Sequence, residues 1–281
     1  MKFSDKVIVV TGAGSGIGRE LVLQLCGRGA TVAGVDYNAL SLSETRALVM
    51  HGSGVMSEHV IDVSDPSQIR LLPDEVIAAH SRVDGLINNA GIIHAHGSIE
   101  ALPEEQVERV FAVNWWGTYY LVKAFLPYLR ERQEACIVNV SSMGGYMPFP
   151  DQVAYGASKA AVKLLTEGLR VELKRDSNIQ VSIVYPGAVS TGITDNSPVI
   201  SERFKQAVRE QTTGKKIGIS AAKAAAQIIQ GVESGRPRIL LGADSWVIDK
   251  LYRLMPTWTA SLIAWLIDKV TNDEMAELRH R

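Results

Sequence analysis

Val7-Ile8-Val9-Val10-Thr11-Gly12-Ala13-Gly14-Ser15-Gly16-Ile17-Gly18 is the stretch whose reading decides the fold. Four β-branched residues in a row read as a strand buried on both faces, and the glycines that follow at once read as a sharp turn into a helix. Glycine lets the backbone turn tightly and approach a pyrophosphate, whose charge is held by the helix N-terminus. Gly12, Ser15, Gly16, Ile17 and Gly18 are therefore candidate nucleotide contacts. A glycine-rich turn can also merely join a strand to a helix, so the reading needs support elsewhere in the chain.

Asp36 supplies that support. It closes the second strand candidate, 18 residues after Gly18, where a carboxylate can accept hydrogen bonds from both adenosine ribose hydroxyls. The same charge repels a 2′-phosphate, and neither Ser15 nor Tyr37 is the cation that NADP would want. NAD is the expected cofactor over NADP. The plainer alternative is that Asp36 caps the next helix.

Outward from this turn, short β-branched runs alternate with longer segments of helical spacing. Strands are predicted at Val7–Val10, Thr31–Val35, Val55–Ile61, Gly85–Ile87, Ala135–Val140 and Ile179–Tyr185, and helices at Arg19–Arg28, Ala39–Met50, Pro66–His80, Val107–Arg132 and Val153–Arg175. Alternation with near-continuous apolar strands predicts an α/β fold, a parallel sheet covered by helices on both faces. No repeat, low-complexity tract or Gly/Ser linker divides the chain, so residues 1–281 are expected to form one domain. Two regions break the rhythm. Residues 188–218 are rich in Ser, Thr, Gly and Asp and then charged, which suggests a loop and helix over the site. The C-terminal extension, 243–281, carries Trp246, Tyr252, Trp258 and Trp265 among aliphatics and reads as amphipathic helix. It could pack on its own domain, cover a subunit interface or lie on a membrane surface.

Composition narrows the function classes. A net charge of -1 offers no basic surface for nucleic acid. Cys26 and Cys136 sit in apolar stretches without metal-ligand spacing and read as inert buried thiols, as expected in a reducing cytoplasm. The apolar run after the N-terminus is too short for a signal-peptide core, and the longest uncharged stretch near the C-terminus, Leu254–Ile267, contains Pro256 and is too short to span a bilayer. A cytoplasmic protein with no transmembrane span is expected.

Tyr155 and Lys159 stand four apart, on one face of a predicted helix. Alcohol oxidation requires loss of a hydroxyl proton together with a hydride. A free phenol titrates near ~10, and an adjacent ammonium or a positive nicotinamide favours the phenolate. By itself such a pair is also an ordinary solvated helix face.

The TGxxxGxG spacing from Thr11, the stretch Asn88-Asn89-Ala90-Gly91, and Tyr155-Gly156-Ala157-Ser158-Lys159 together resemble the short-chain dehydrogenase/reductase family, in its compact single-domain branch. The resemblance covers roughly residues 5 to 242, with the motifs in the family's order. It implies a Rossmann-type doubly wound sheet and a catalytic tetrad of Asn114, Ser142, Tyr155 and Lys159. It implies that Ser142, 13 residues before Tyr155, holds the substrate oxygen, that Lys159 also binds the nicotinamide ribose, and that Asn114 supports a water leading the proton to solvent. Ser141 is adjacent, but strand alternation points the two serines apart. Asp62 and Val63 would border the adenine, Asn89, Ala90 and Gly91 would line the cofactor, and Pro186, Gly187, Val189 and Thr191 would hold the nicotinamide end.

His94 and His96 read as solvated loop side chains, and no group of residues has metal spacing. The expected pocket walls, Met143, Gly144, Tyr146, Phe149, Val189 and the loop 192–212, are mostly apolar and favour a hydrophobic secondary alcohol or ketone. The resemblance also implies a homo-oligomer, dimer or tetramer, through the helices carrying Asn114 and Tyr155. Two other functions are compatible with the sequence: an NADPH-dependent carbonyl or 3-oxoacyl reductase, and a nucleotide-sensing scaffold that has lost catalysis. Asp36 opposes the first and the complete tetrad opposes the second.

Overall fold

The computed structural model describes residues 1–50, 54–176, 178–190, 193–202, 205–206 and 218–279. Its centre is a parallel sheet of seven strands: β1 (Val7–Thr11), β2 (Thr31–Asp36), β3 (Val55–Val60), β4 (Gly85–Asn88), β5 (Ala135–Val140), β6 (Ile179–Pro186) and β9 (Arg238–Leu241). A separate two-stranded ladder joins β7 (Val189–Ser190) to β8 (Ile219–Ser220). The six expected strands are present within a residue or so at each end. The seventh, β9, was not expected, because it is only four residues long and begins with an arginine.

The sheet order is β3-β2-β1-β4-β5-β6-β9. The chain winds outward from β1 in one direction, then returns to β4 and winds the other way, so the order reverses between β1 and β4. In an open α/β sheet that reversal opens a crevice beyond the C-terminal strand ends, where ligands bind. Here those ends are Thr11 and Asn88.

Helices cover both faces, as the near-continuous apolar strands require. Alternation along β1 sends Ile8 and Val10 to one side and Val7 and Val9 to the other. The first side packs on α1 (Gly16–Cys26), α2 (Ala39–Met50) and α8 (Ala221–Glu233), through Leu21, Leu42 and Ile228. The second packs on α3 (Pro66–His80) and α5 (Thr118–Arg130), through Leu72 and Phe125. α2 and α3 span the residues their spacing predicted. The expected helix Val107–Arg132 is instead α4 (Glu104–Phe111), a π-helical turn (Ala112–Gly117) and α5. Gly117 allows that wide turn to lie against the Val63 carbonyl, since a Cβ there would come 2.7 Å from its oxygen. α6 (Val153–Glu172) carries the Tyr155–Lys159 pair. α7 (Ile193–Asn196) is a single turn, and the chain ends in α9 (Ala243–Leu254) and α10 (Pro256–Arg279).

Candidate functional site

Glycine is required at two points of the first turn. Gly12 has φ 66°, and a Cβ on Gly18 would strike the Gly12 carbonyl as α1 begins. The turn is held by its neighbours. Gly14 N donates to Asp36 Oδ2 at 2.8 Å, and Asn38 N donates to Asp36 Oδ1 at 3.0 Å. Asp36 thus braces the glycine turn while its carboxylate lines a cavity with Tyr37, Ile61, Asp62, Val63 and Ala90. Asp36 does not cap α2 itself: Asn38 Oδ1 accepts from Ser41 N at 3.1 Å there, and Asp36 holds the turn before it.

Asp62, whose carboxylate is held below the usual range, is heavily engaged. Burial acts against the ionised form, but the hydrogen bond from Arg109 and those from the backbone and hydroxyl of Ser64 outweigh it. Arg109 Nη2 sits 2.7 Å from Asp62 Oδ2. Arg19 is similarly occupied, donating to the Gly14 and Ser41 carbonyls and pairing with Glu44 at 2.8 Å. Arg109, which lines the cavity, and Arg19, which braces the glycine turn, are thus both engaged by protein oxygens.

Asn89 ties β4 to β1, its Nδ2 donating to Thr11 O at 2.9 Å and its N donating to Thr11 Oγ1 at 3.0 Å. Asn88 reaches sideways to Asn139 at 2.8 Å and supports the sheet. The first cavity adjoins a second, larger one of about 1040 Å³, lined by Gly12, Ser15, Gly16, Ile17, Asn89 and Gly91 and, further along, by Ser142, Tyr155, Lys159, Pro186, Gly187 and Val189. Gly12, Ser15, Ala90 and Gly91 line both. One trench therefore runs from Asp36 to Tyr155 across the β1/β4 reversal. A dinucleotide fits this shape and this donor set. Gly18 packs inside the turn beneath the trench, and Thr191 lies outside the described residues.

At the far end the two serines point apart as alternation predicted. Ser141 Oγ donates to the Lys159 carbonyl at 2.8 Å and is buried, whereas Ser142 faces the cavity, accepts from Gly144 N at 3.1 Å and hydrogen-bonds the Tyr155 phenol. Burial pushes the Tyr155 phenol above its usual range, and the Ser142 contact works in the opposite direction. Burial also drives the Lys159 ammonium down to about 8. Its Nζ donates to Val140 O at 3.1 Å. The expectation that Lys159 sets the Tyr155 titration omitted this desolvation, which dominates both groups in the protein alone.

Asn114 comes from the π-helical turn and is fully buried. Its Oδ1 accepts from Ile92 N at 2.9 Å, and its Nδ2 donates to Ile92 O and to Ser158 Oγ, both at 3.0 Å. Its amide hydrogens are spent on the Ile92 carbonyl and the Ser158 hydroxyl, so the side chain ties the backbone after Gly91 to α6. A Cβ on Gly91 would come 2.9 Å from Lys159 Nζ and 3.2 Å from Asn114 Oδ1, so that backbone sits directly against both side chains.

Several residues escaped the sequence reading. Asn196 Nδ2 donates to Ser15 Oγ at 2.9 Å, and Tyr37 OH donates to Asn196 O at 3.3 Å, so α7 bridges the glycine turn and the end of β2. Most of the charged part of 188–218, where the helix was expected, falls at 203–204 and 207–217 and, with 191–192, lies outside the described residues. Asp244 accepts from Ala188 N at 2.8 Å and fixes the Pro186–Gly187 loop from α9. His94 was expected in solvent but is fully buried: its Nδ1 donates to the Ala95 carbonyl at 2.7 Å, leaving Nε2 without a partner. Gln152, three residues before Tyr155, is buried with neither amide atom partnered. Nothing in composition distinguishes these from ordinary loop residues, because their burial is created by segments distant in sequence. Tyr146, expected as a pocket wall, turns its hydroxyl to the Ser245 carbonyl at 3.0 Å and anchors α9.

Comparison with known proteins agrees with this geometry. Residues 6–199 match the family model described as short chain dehydrogenase. SadH of Mycobacterium tuberculosis, an oxidoreductase by name, is 34% identical over 93% of this chain and 95% of its own. A short-chain dehydrogenase/reductase of Burkholderia phymatum, solved with NAD, superposes with a TM-score of 0.80 at 28% identity, covering 90% of this chain and 96% of that one. A short-chain dehydrogenase of Burkholderia cenocepacia, solved with NADP, superposes with a TM-score of 0.76 at 25% identity, covering 94% and 99%.

Proposed function

Given that the chain belongs to the short-chain dehydrogenase/reductase family of oxidoreductases, we propose that it interconverts a secondary alcohol and a ketone with NAD, Tyr155 carrying the proton. The observation that carries the reading is the single trench that has the Asp36 carboxylate at one end and Ser142, Tyr155 and Lys159 at the other. In the proposed arrangement Asp36 receives the adenosine ribose, Asp62, Val63 and Ala90 border the adenine, and Gly12, Ser15, Gly16, Ile17 and Gly18 form the phosphate turn. Asn89, Gly91, Pro186, Gly187 and Val189 flank the nicotinamide end. When bound, the nicotinamide supplies the hydride exchange.

The side chains do the rest. Ser142 Oγ donates to the substrate oxygen and stabilises the charge that develops there. Tyr155 Oη takes the proton from an alcohol, or returns it to the oxygen of a ketone. Burial keeps the resting phenol protonated. Lys159, held to the Val140 carbonyl, places positive charge where phenolate must form. Asn114 positions the Gly91–Ile92 backbone. The proposed substrate is a hydrophobic secondary alcohol or ketone.

NAD is preferred over NADP because Asp36 faces the cavity while Arg19 and Arg109 are engaged by Glu44 and Asp62. We also propose self-association through α6 and the segment formed by the π-helical turn and α5, where Leu164, Val171 and Trp116 are exposed.

Titration of the chain with NADH and NADPH, read by energy transfer from tryptophan, tests the cofactor half; absorbance at 340 nm with a panel of secondary alcohols tests the chemistry. NADH should bind at least ~10-fold more tightly than NADPH, since an unmatched charge at a recognition site costs on the order of 1–3 kcal/mol. Tighter NADPH binding would favour a carbonyl or 3-oxoacyl reductase. Binding without turnover across a broad panel would favour a sensor.

A further inference from the structure

The two C-terminal helices bury polar residues and expose apolar ones. Ser245, Asp249 and Thr259 are 0, 2 and 0% exposed, while Trp246, Trp258 and Trp265 are 56, 53 and 57% exposed and Leu254 78%. The buried side of α9 is held by polar contacts. Ser245 Oγ donates to the Tyr185 carbonyl at 3.0 Å, and Asp249 Oδ1 accepts from Arg238 at 2.6 Å. Docking therefore uses the polar face, and the apolar face is left to another partner.

We propose that this face lies on an anionic lipid surface. The charge pattern selects that occupant. Trp246, Lys250, Arg253 and Leu254 follow helical spacing on α9 and are all exposed. Between Ser245 and Ile267 the only acid is Asp249, which is buried and paired closely with Arg238 and, at 3.8 Å, with the otherwise exposed Arg253, so the exposed charge there is basic. On α10, Trp258 and Trp265 are seven residues apart and share a face, and Lys269 Nζ stands 5.5 Å from the Trp265 ring centre. Tryptophan beside lysine or arginine suits the headgroup boundary, where the ring meets hydrocarbon and the cation meets phosphate. A two-fold contact centred on this patch would bring the basic side chains of both copies together with no exposed acid between Ser245 and Ile267 to offset them, a like-charge juxtaposition that disfavours association. No described helix is long and apolar enough to cross a bilayer, so the helices rest on the surface. In sequence Asp268 adjoins Lys269, and Asp273, Glu274 and Glu277 follow before Arg279 and Arg281.

The contact is tied to the trench. Asp244, in the first turn of α9, holds Ala188 N, and Ser245 receives the Tyr146 hydroxyl. The lipid surface would therefore adjoin the Pro186–Val189 wall of the larger cavity, without depending on the cofactor or substrate assigned above.

Co-sedimentation of the full chain with phosphatidylcholine vesicles, with and without phosphatidylglycerol, tests the proposal. The chain should pellet with the anionic vesicles, release at high salt and show a blue shift in tryptophan emission. Trp246→Ser/Trp258→Ser/Trp265→Ser should stay in the supernatant with unchanged molar mass by light scattering and unchanged NADH titration. Lys250→Glu/Arg253→Glu should weaken anionic binding roughly tenfold or more. Recovery of the wild-type chain in the supernatant with both vesicle types would overturn the proposal, as would equal binding to both. A fall in molar mass on replacing the tryptophans would overturn it in favour of a subunit interface.

Discussion

The trench and the C-terminal helices are built on opposite arrangements. Around the trench the apolar residues are inside: Ile8, Val10, Leu86 and Ile137 are fully buried in the sheet, and the polar groups of the trench stand at its C-terminal edge. In α9 and α10 the buried contacts are hydroxyls and a carboxylate, and the aromatic rings point outward. The sheet could therefore form on hydrophobic burial alone, whereas the helices are positioned by a few directional bonds. The difference teaches that an amphipathic pattern announces two faces but not which one the protein itself uses.

The largest effect expected belongs to the trench. Tyr155→Phe removes one oxygen at the reacting end and should lower kcat by about 10³-fold, within the range for losing a general acid–base, while NADH affinity is unchanged. Turnover above a few percent of the wild-type rate would break the assignment. Next is Asp249→Ala, which strips Arg238 of a buried partner and should cost about 3 kcal/mol. Urea denaturation checks it, and a cost below that of an ordinary surface change would mean that polar contacts do not seat α9.

A thiol probe sharpens the contrast from the core side. Burial pushes Cys26 up to about 11 and Cys136 up to about 12, from 9.0. Because the folded values lie above the unfolded one, the thiols contribute stability fully below pH 9.0 and lose it as pH rises through about 11 and 12. At pH 9 alkylation of native Cys26 should be roughly 100-fold slower than in the denatured chain, because thiolate is the reactive form; comparable rates, read by mass spectrometry, would contradict the burial. The smallest effect should come from Trp246→Ser, which removes a large ring three residues from Asp249 yet should change stability by no more than about 0.5 kcal/mol, as at other exposed sites. A loss above about 2 kcal/mol would show that this ring packs against the protein after all.

Much of the trench was legible because its signals are local. The glycine turn, Asp36 at a strand end, and Tyr155 with Lys159 on one helical face each follow from a few residues at fixed spacing. That Ser141 and Ser142 point apart is also local, through strand alternation, while the 13-residue spacing to Tyr155 selected Ser142; Ser141 Oγ turns to the Lys159 carbonyl. Asn196 over Ser15, Asp244 under Ala188 and the buried pair His94 and Gln152 were not legible, because each depends on segments brought together from far along the chain. The π-helical turn at Ala112–Gly117 stayed hidden for a related reason. It keeps helical spacing in sequence, and only the close approach of Gly117 to Val63 marks it.

The sequence by itself determined the alternation of strands and helices, the nucleotide turn and the family, because hydrophobic period, glycine freedom and short-range spacing are properties of adjacent residues. Only the tertiary structure decided the strand order, the joining of two cavities into one trench, the desolvation that lowers Lys159 to about 8, and the face on which the last helices pack. Each of these depends on which distant groups exclude water from one another, and a linear pattern does not encode that exclusion.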